Sequence, residues 1–357
     1  MSSTDVKRAS RADETLSFLR STYREYYYRN HGTLDIPTKM SNREFGYVPF
    51  GGGMVRHISY KTQGELAADL VKQAPSSVYC SNATYSHPTL AMDEKGWIGA
   101  ELIFDIDAGE IPTSCRSRHL ISLCQSCGKS IKGGRPTCPR CEKADLRQLH
   151  WSCSECLDAT KRHVVRLIEF LTKDFGVSYG DINTYFSGNR GYHLHVVDGR
   201  FESLGSPARA EIANYIRGKG LMVRGRPDGG HGEGWSPRIE ALVSKGQSQH
   251  LLDNAVATYS AMIDSAVTSD VHRIFRMPGT LHGGSGLLKM RVKDIEGFQP
   301  TRDPVVLGDE SVKVTVDYSP EFYLRGTKFG PYSGKDVDMP CYAAVFLLTK
   351  GLGSVSN

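Results

Sequence analysis

The sequence has no long hydrophobic run. Its 357 residues contain no stretch of about 18 consecutive apolar residues, and no apolar segment follows the polar start MSSTDVKRASRADE. Membrane-spanning helices need roughly 20 apolar residues, and secretory signals need an apolar core. The pattern therefore predicts a soluble, intracellular protein with no membrane partner.

Internal repeats and a strong charge bias are also absent from the sequence. There are 44 Lys and Arg against 39 Asp and Glu, which gives a formal net charge of +5. So small an excess is compatible with a polyanionic partner but does not identify one. Hydrophobic residues make up 39% of the chain, enough for one large core or two moderate ones, so a folded protein is expected.

Apolar spacing and turn residues predict the order of the secondary structure. Helical spacing occurs over 13–28, 64–73, 159–171 and 208–223. Strand-like runs lie around Tyr47 and Ile58, over 101–107, and on both sides of a turn at 187–191. A Gly- and Pro-rich loop is predicted over 224–237.

The nine cysteines point to metal binding. Disulfides are uncommon in a long chain without a secretory signal. Cys124 and Cys127 are followed, after ten residues, by Cys138 and Cys141, and two such Cys-x2-Cys pairs are typical of a zinc ribbon. A further pair, Cys153 and Cys156, comes after the ribbon.

Two acids stand at the end of an apolar strand in ELIFDIDAGE, residues 101–110. Because side chains alternate along a strand, Asp105 and Asp107 share one face. Carboxylates this close repel each other unless a cation lies between them, and Mg²⁺ or Mn²⁺ is usual where phosphates bind. A strand end that opens to solvent is the alternative, since so short a motif matches by chance.

Two later stretches carry cationic, glycine-rich turns. In SGNRGYHLHV, residues 187–196, the turn holds Ser187 and Arg190, and His193 and His195 then share one strand face. The stretch 270–292 adds Arg273, Arg276 and His282 beside another Gly-rich turn. A triphosphate is well bound by backbone N–H groups, guanidinium groups and imidazoles acting together. The alternative interpretation is a polar hairpin with surface histidines.

The order of these motifs resembles that of the small catalytic subunit of archaeal and eukaryotic primases, archaeal members most closely. The motifs are, in order, the acidic strand, the cysteine-rich insertion, SGNRGYH and RMPGTLHGGSGL. The likeness extends from SNREFGYVPFGGGMVRHIS (41–59) to KFGPYSGKDVDMPCYAAVFLLTKG (328–351). It implies an α+β chain with the archaeo-eukaryotic primase fold, in which an RRM-like catalytic sheet packs on an N-terminal α/β part and carries an inserted zinc-binding module.

The resemblance also implies roles for single residues. Asp105 and Asp107 correspond to metal-binding catalytic acids, and the third acid corresponds best to Asp264, with Asp270 as the alternative. The implied nucleotide-binding residues are Arg56, Ser187, Arg190, His193, Arg276 and His282. Acids that hold two Mg²⁺ or Mn²⁺ ions can activate a 3′-hydroxyl and stabilise the departing pyrophosphate. For His195, a role in the site and simple proximity to it are equally open.

Two structural zinc ions are expected. The family pattern of Cys-x3-His followed by Cys-x2-Cys fits Cys115, His119, Cys153 and Cys156. The second set is the ribbon Cys124, Cys127, Cys138 and Cys141. Cys153 and Cys156 could instead pair with one of the ribbon's Cys-x2-Cys pairs, and Cys80 and Cys341 are expected to be ordinary thiols.

The resulting division is a catalytic core over 1–114 and 157–357, a zinc-binding module over 115–156 and a helical subdomain over 207–262. The stretch 115–162 contains ten Lys and Arg residues but only four Asp and Glu residues. That excess favours contact with template phosphates, with His150 and Trp151 as candidates for base stacking, although a solvated surface is the simpler interpretation.

The predicted function is that of a DNA primase catalytic subunit, a nucleotidyltransferase that makes short RNA primers from NTPs for DNA replication. Its implied partners are a single-stranded DNA template, NTPs (dNTPs as the alternative) and a primase large subunit in a heterodimer. An archaeal source would place it in the cytoplasm, near the nucleoid. The competing hypotheses are a repair or translesion polymerase of the same superfamily that uses dNTPs, and a non-catalytic nucleic-acid-binding zinc protein.

Overall fold

The computed structural model describes residues 3–221, 234–243 and 250–356. The helices of this part are α1 (Ser3–Asn30), α2 (Gln63–Gln73), α3 (Ser154–Glu169), α4 (Ser206–Ile216), α5 (Trp235–Val243), α6 (His250–Tyr259), α7 (Ser265–Ser269) and α8 (Cys341–Leu348). The strands are β1 (Phe45–Val48), β2 (Val55–Ile58), β3 (Ser77–Ser81), β4 (Ala83–Tyr85), β5 (Trp97–Ala100), β6 (Leu102–Asp107), β7 (Leu120–Cys124), β8 (Ser130–Lys132), β9 (Leu146–His150), β10 (Ile182–Phe186), β11 (Gly191–Val196), β12 (Ile274–Arg276), β13 (Met290–Arg291), β14 (Ser311–Ser319), β15 (Phe322–Leu324), β16 (Thr327–Phe329), β17 (Tyr332–Pro340) and β18 (Gly353–Val355).

Two four-stranded antiparallel sheets position the acidic and basic motifs found in the sequence. The first has the order β12-β3-β1-β2, and the second has the order β13-β10-β11-β6. In the second sheet His193 on β11 lies opposite Asp105 on β6, and Gly191 lies opposite Asp107. In the first sheet Arg276 lies opposite Tyr79. The motifs that are far apart in the sequence are therefore brought to neighbouring strands.

The second sheet has one apolar face and one polar face. Leu102, Phe104 and Ile106 of β6 are fully buried in the main core, which also includes Val164 and Leu167 of α3. On the opposite face, Ile103 packs with Val267 of α7 and Phe275 of β12. Because this second face meets the first sheet, Asp105 and Asp107, which share it with Ile103, lie beside the first sheet and stay partly exposed.

Local signals explain why helix α2 begins where it does. The Thr62 side chain accepts a hydrogen bond from the Glu65 N–H at 3.2 Å, while the Glu65 carboxylate accepts from the Lys61 N–H at 2.7 Å. Reciprocal bonds of this kind satisfy N–H groups that a helix start leaves unpaired. Leu66 and Leu70, one turn apart, then bury the inner face of the helix.

The cysteine-rich segment forms a small sheet of its own. Its order is β8-β7-β9, and it meets the C-terminal sheet β17-β14-β18 through a 3.6 Å ion pair between Lys129 and Asp317. Ser130 donates a hydrogen bond to the Tyr318 carbonyl at 3.4 Å. Helix α8, the apolar stretch CYAAVFLL, lies inside the core.

The mixed helix and sheet content confirms the expected α+β class, while the division into domains stays a prediction. Helix α3 begins earlier than predicted, at Ser154, and continues into a wider turn over Phe170–Asp174. The helix expected over 208–223 is observed as the shorter α4, which ends at Ile216. The end of the predicted loop 224–237 is helical, because α5 begins at Trp235. The rest of that loop and part of the predicted subdomain 207–262 lie outside the described residues. Within the described ranges, no helix has the length and apolar character to cross a membrane.

Candidate active site

Three carboxylates converge at the end of β6. Asp105 and Asp107 leave the strand on the same face, and the Asp264 N–H donates to the Asp105 carbonyl at 3.0 Å. Burial, followed by the charges of Asp107 and Asp264, raises the pKa of Asp105 to about 7. Burial, Asp264 and Asp107 also raise the pKa of Glu110. The acids are thus close enough to influence one another's charge, and carboxylate oxygens are the ligands that hard divalent cations prefer.

Asp264 reaches this position because it caps a helix. Its carboxylate accepts from the Ala266 N–H at 2.9 Å and the Val267 N–H at 3.3 Å, which fixes the start of α7 against β6. Asp270, the alternative third acid, instead accepts from the His272 N–H at 2.9 Å. The structure thus brings Asp264, and not Asp270, to the two strand acids.

A cleft of about 190 Å³ faces these acids. Its lining combines both glycine-rich turns with the edge of the first sheet: Tyr79, Asp105, Asp107, Ser187, Asn189, His193, Val267, Arg273, Ile274, Phe275, Arg276 and His282. Two of the predicted acids and four of the six predicted nucleotide-binding residues therefore line one cleft.

Glycine allows the two turns to approach each other. Gly188 has φ +85°, and a Cβ atom there would lie 2.9 Å from Cβ of His282 and 3.0 Å from the Leu287 carbonyl oxygen. The Ser285 hydroxyl hydrogen-bonds to the Gly188 carbonyl across the same gap. No other residue type could keep this approach without moving one of the turns.

Arg190 stands at the rim of the cleft. Its Nε lies 2.9 Å from a carboxylate oxygen of Asp107, and Nη1 donates to the His150 carbonyl at 3.3 Å. The guanidinium thus links the acids to the cysteine-rich segment. An arginine in this position can also bind a phosphate oxygen, because the guanidinium presents several donors in one plane.

His193 is held between a carboxylate and a buried lysine that the sequence analysis missed. Its Nε2 lies 3.6 Å from Asp105, and its Nδ1 lies 3.1 Å from Nζ of Lys289. Lys289 also donates to the Arg276 carbonyl at 2.6 Å, and burial together with the charge of Arg276 lowers its pKa to about 7. In the sequence, the one sign that this lysine is buried is its place as a single charged residue in the apolar run GLLKM.

His282 and Arg276 complete the basic side of the cleft. Burial and the charge of Arg276 hold the pKa of His282 well below its usual range, and its Nδ1 accepts from the Gly284 N–H at 2.9 Å. Arg276 donates to the Tyr79 hydroxyl at 3.3 Å. The side chains on this side are donors and cations, opposite in character to the acids.

Arg56 does not reach the cleft. It lies on β2, at the opposite edge of the first sheet from β12, and its guanidinium binds the buried carboxylate of Glu44 at 2.9 Å and 3.1 Å. Lys95, also buried, pairs with the same carboxylate. The sequence could not reveal this pairing, because it depends on contacts between three separate segments.

Comparison with known proteins identifies the family. Residues 144–294 match the family model described as "DNA primase small subunit". The chain is 37% identical, over the whole of both chains, to the DNA primase small subunit PriS of Nitrosopumilus maritimus. The chain belongs to the DNA primase small subunit family. It is also 36% identical to PriS of Cenarchaeum symbiosum, with 96% of this chain and 100% of that protein covered, and 33% identical to PriS of Archaeoglobus fulgidus, with 96% and 99% covered.

The expectation of an archaeal-type primase catalytic subunit is therefore confirmed. Among solved structures, the polymerase domain of Mycobacterium tuberculosis ligase D in complex with DNA aligns with a TM-score of 0.42 and 11% identity, covering 80% of this chain and 84% of that one. That score is too low to establish a shared fold.

Two clusters in and beside the cysteine-rich segment could each hold a metal ion, one of three thiols and an imidazole and one of four thiols. The first contains Cys115, His119, Cys153 and Cys156. The second contains Cys124, Cys127, Cys138 and Cys141. Within each cluster all ligand atoms lie within 4.8 Å of one another. This is the grouping expected from the family pattern, and the alternative pairing of Cys153 and Cys156 with the ribbon is not observed.

The sulfur distances fit a tetrahedral ion. Sγ of Cys115 lies 3.4 Å from that of Cys156, and the sulfurs of Cys127 and Cys138 are 3.5 Å apart. Tetrahedral zinc with sulfur at about 2.3 Å sets its ligands about 3.8 Å apart. Cys80 and Cys341 are buried outside both clusters, and burial raises the pKa of their thiols to about 12 and about 11.

Trp151 follows the ribbon and, with His150, lines a cavity of about 520 Å³. Its ring also packs edge-on against Phe322 and Phe346, with centroids 5.7 Å and 5.4 Å away, and Lys350 lies 5.7 Å from its centre. His150 is exposed. The stacking of either side chain on a base stays a prediction.

Proposed function

We propose that this chain is the catalytic subunit of a DNA primase, which joins nucleotides on a single-stranded DNA template. The observation that carries the proposal is that Asp105 and Asp107 line one cleft with the basic turns, with Asp264 close enough to influence Asp105, in a member of the primase small subunit family. We further propose that the second sheet corresponds to the RRM-like sheet of the archaeo-eukaryotic primase fold. The proposed products are short RNA primers made from NTPs.

Asp105, Asp107 and Asp264 would hold two Mg²⁺ or Mn²⁺ ions. The residue types fit them, because all three offer carboxylate oxygens, and the charges of Asp107 and Asp264 add to burial in raising the pKa of Asp105. Divalent ions at this place would activate the attacking 3′-hydroxyl and neutralise charge on the phosphates.

The protein's own groups bind and orient the triphosphate. The turn 187–191 and the turn that begins at His282 place Ser187, Asn189 and His282 at the cleft, and Arg190 and Arg276 add positive charge. His193, whose Nδ1 faces Lys289, directs Nε2 toward the acids and the bound phosphates. Donors that are already in place favour the charge that develops on the phosphates during transfer.

The zinc-binding segment is proposed to contact the template. A cavity of about 520 Å³ separates it from the β15–β16 hairpin and is lined by residues that include Arg190, Lys350 and the exposed Tyr323. Cations beside aromatic rings are a common surface for single-stranded nucleic acid. Neutralising the exposed Arg116 and Lys132 should weaken binding to single-stranded DNA and flatten its salt dependence, and unchanged binding would contradict this role.

The decisive experiment is primer synthesis on a single-stranded DNA template with labelled NTPs or dNTPs, with and without divalent metal. De novo products should disappear in the Asp105→Ala/Asp107→Ala variant. Asp264→Ala should abolish synthesis, whereas Asp270→Ala, the matched control, should retain most of it. Extension of supplied primers without initiation would favour a repair polymerase or a requirement for the large subunit. Intact DNA binding without any synthesis would favour a non-catalytic zinc protein.

A further inference from the structure

A buried lysine, Lys350, contacts both glycine-rich turns of the cleft. It follows helix α8 and is only 8% exposed. Within the described part of the chain its hydrogen-bond partners are neutral oxygens, and burial, followed by the charge of Arg190, lowers the pKa of Lys350 to about 7. A buried cation that is matched only by neutral groups costs free energy, so its presence here calls for a role.

The two hydrogen bonds of Lys350 join the turns to each other. Nζ donates to the Gly284 carbonyl at 2.9 Å and to Oδ1 of Asn189 at 3.4 Å. Asn189 belongs to the turn 187–191, and Gly284 belongs to the turn that begins at His282. Asn189 and His282 both line the cleft that holds the acids. Lys350 therefore connects the two segments that are proposed to bind the triphosphate.

The bond to Asn189 also sets the orientation of its amide. An ammonium can only donate, so the end of the amide that faces Lys350 is the oxygen. The NH₂ group is then the end that remains for a ligand in the cleft, and it can donate to a phosphate oxygen. Without Lys350 the amide could turn over and present its oxygen, which repels phosphate oxygens.

Lys350 supplies a second contact between the turns. They already meet where the Ser285 hydroxyl donates to the Gly188 carbonyl. One hydrogen bond leaves the turns free to pivot about it, whereas a second bond, one residue away on each turn, restricts that motion. Donors that are held in place in the free protein lose less freedom when a ligand binds, and this increases affinity.

Aromatic rings hold the ammonium of Lys350 in place. Nζ lies 4.3 Å from the ring centre of Phe346 and 5.7 Å from that of Trp151, which follows β9. Contacts between a cation and an aromatic ring replace part of the lost hydration. Lys350 also lines the cavity of about 520 Å³, which Asn189 borders as well. The lysine thus stands at the boundary between this larger cavity and the cleft.

We propose that Lys350 is a positioning residue for the triphosphate, acting through the amide of Asn189 and the carbonyl of Gly284. The inference rests on the proposed function and concerns how the same cleft binds the phosphates of the incoming nucleotide. Because the lysine acts by ordering the turns before the nucleotide binds, its loss should weaken binding much more than it slows the chemical step.

The test is isothermal titration calorimetry of the full chain with ATP, AMP and inorganic tripolyphosphate, with Mg²⁺ and at or below neutral pH so that Lys350 is charged. Lys350→Met should weaken the binding of ATP and tripolyphosphate about tenfold, and leave AMP, which lacks two of the three phosphates, within about twofold of wild type. Lys335→Met, which removes an exposed lysine of β17, is the matched control and should keep the wild-type affinities. In single-nucleotide addition, Lys350→Met should raise KM about tenfold and change kcat by less than about twofold.

Three further variants separate positioning from general stability. Lys350→Arg should recover most of the ATP affinity, because a guanidinium also donates to both acceptors and the adjoining cavity has room for it. In an Asn189→Ala background, Lys350→Met should cost less ATP affinity than in the wild-type chain, since the amide on which the lysine acts is gone. Lys350→Gln, a shorter neutral donor, should lose ATP affinity as the methionine variant does, and it replaces that variant if methionine prevents folding.

Wild-type ATP affinity in folded Lys350→Met or Lys350→Gln would overturn the inference. An equal loss for AMP and ATP, or an arginine variant no better than the methionine variant, would also overturn it, because a purely structural role predicts those results. Equal costs of Lys350→Met with and without the Asn189 amide would contradict the proposed route. Primer synthesis by the wild-type chain together with an unaffected Lys350 variant would overturn this inference alone, whereas a wild-type chain that makes no primers in any condition would overturn the proposed function.

Discussion

Replacing Lys289 with methionine should impair catalysis by releasing His193. Lys289 is fully buried and contacts Nδ1 of His193 at 3.1 Å. In its ammonium form it can only donate, so Nδ1 accepts and the ring proton lies on Nε2, which is 3.6 Å from Asp105. Methionine has a similar length but no donor, so the variant no longer favours one tautomer or orientation of the ring.

The size of the effect follows from the bond that is lost. A hydrogen bond from a charged group is worth about 1.5–3 kcal/mol, and about 1.4 kcal/mol corresponds to a tenfold change. The expected loss in kcat/KM for nucleotide addition is therefore roughly 10- to 150-fold. The effect on folding should be smaller, because the cost of two unpaired acceptors is offset when a buried ammonium is removed.

The assay is single-nucleotide addition to a primed template, at or below neutral pH so that Lys289 is charged. Lys39→Met, which removes an exposed lysine paired with Glu202 at 3.4 Å, is the control and should leave kcat/KM unchanged. ¹⁵N NMR of labelled imidazoles should show the proton of His193 on Nε2 in the wild type and a mixture of tautomers in the variant. A folded variant with wild-type kcat/KM and an unchanged tautomer would refute the reasoning.

Three further predictions concern the metal clusters, acid stability and the glycine turn. Elemental analysis should find two zinc equivalents per chain and one in Cys124→Ser, whereas Cys80→Ala should keep both; a single equivalent in the wild type would contradict the two-site assignment. Burial and the charge of Arg166 lower the pKa of His163 to about 4, so the folded state resists protonation of this side chain. The free energy of unfolding should therefore fall as the pH drops from about 6.5 toward 4. In His163→Gln that fall should be smaller by up to about 3 kcal/mol, as measured by urea unfolding at each pH. Gly188→Ala should lower nucleotide addition at least about tenfold through strain at φ +85° and the displaced turn, with wild-type activity as the contradicting result.

The sequence predicts the arrangement within each strand well, because the two-residue alternation is a local property. It correctly assigns Asp105 and Asp107 to one face of β6, and His193 and His195 to one face of β11. The grouping of the eight metal ligands depends on the family resemblance, since spacing alone left the pairing of Cys153 and Cys156 open. The structure supplies that grouping by placing β7 and β9 side by side.

Contacts between distant segments have no local signal, so the sequence does not reveal them. Arg56 has the residue type expected of a phosphate ligand, and the fold pairs it with the buried carboxylate of Glu44 at the far edge of the first sheet; its contact with a nucleotide stays a prediction. Lys289 appears in the sequence as one polar residue in an apolar run, and only the tertiary fold brings it to His193 on β11. In both cases burial, which turns a charge into a specific contact, depends on the tertiary fold.

His195 shows most clearly what the sequence alone could not predict. Alternation places it on the same face as His193, so the sequence offers no reason to give the two imidazoles different roles. The difference comes from the partners that the fold supplies. His193 lies between Asp105 and Lys289, whereas Nδ1 of His195 lies 3.0 Å from the carboxylate of Glu101. Phe275 of the opposite sheet contacts both rings. Because these partners come from segments that are distant in the sequence, strand alternation alone cannot distinguish the two imidazoles.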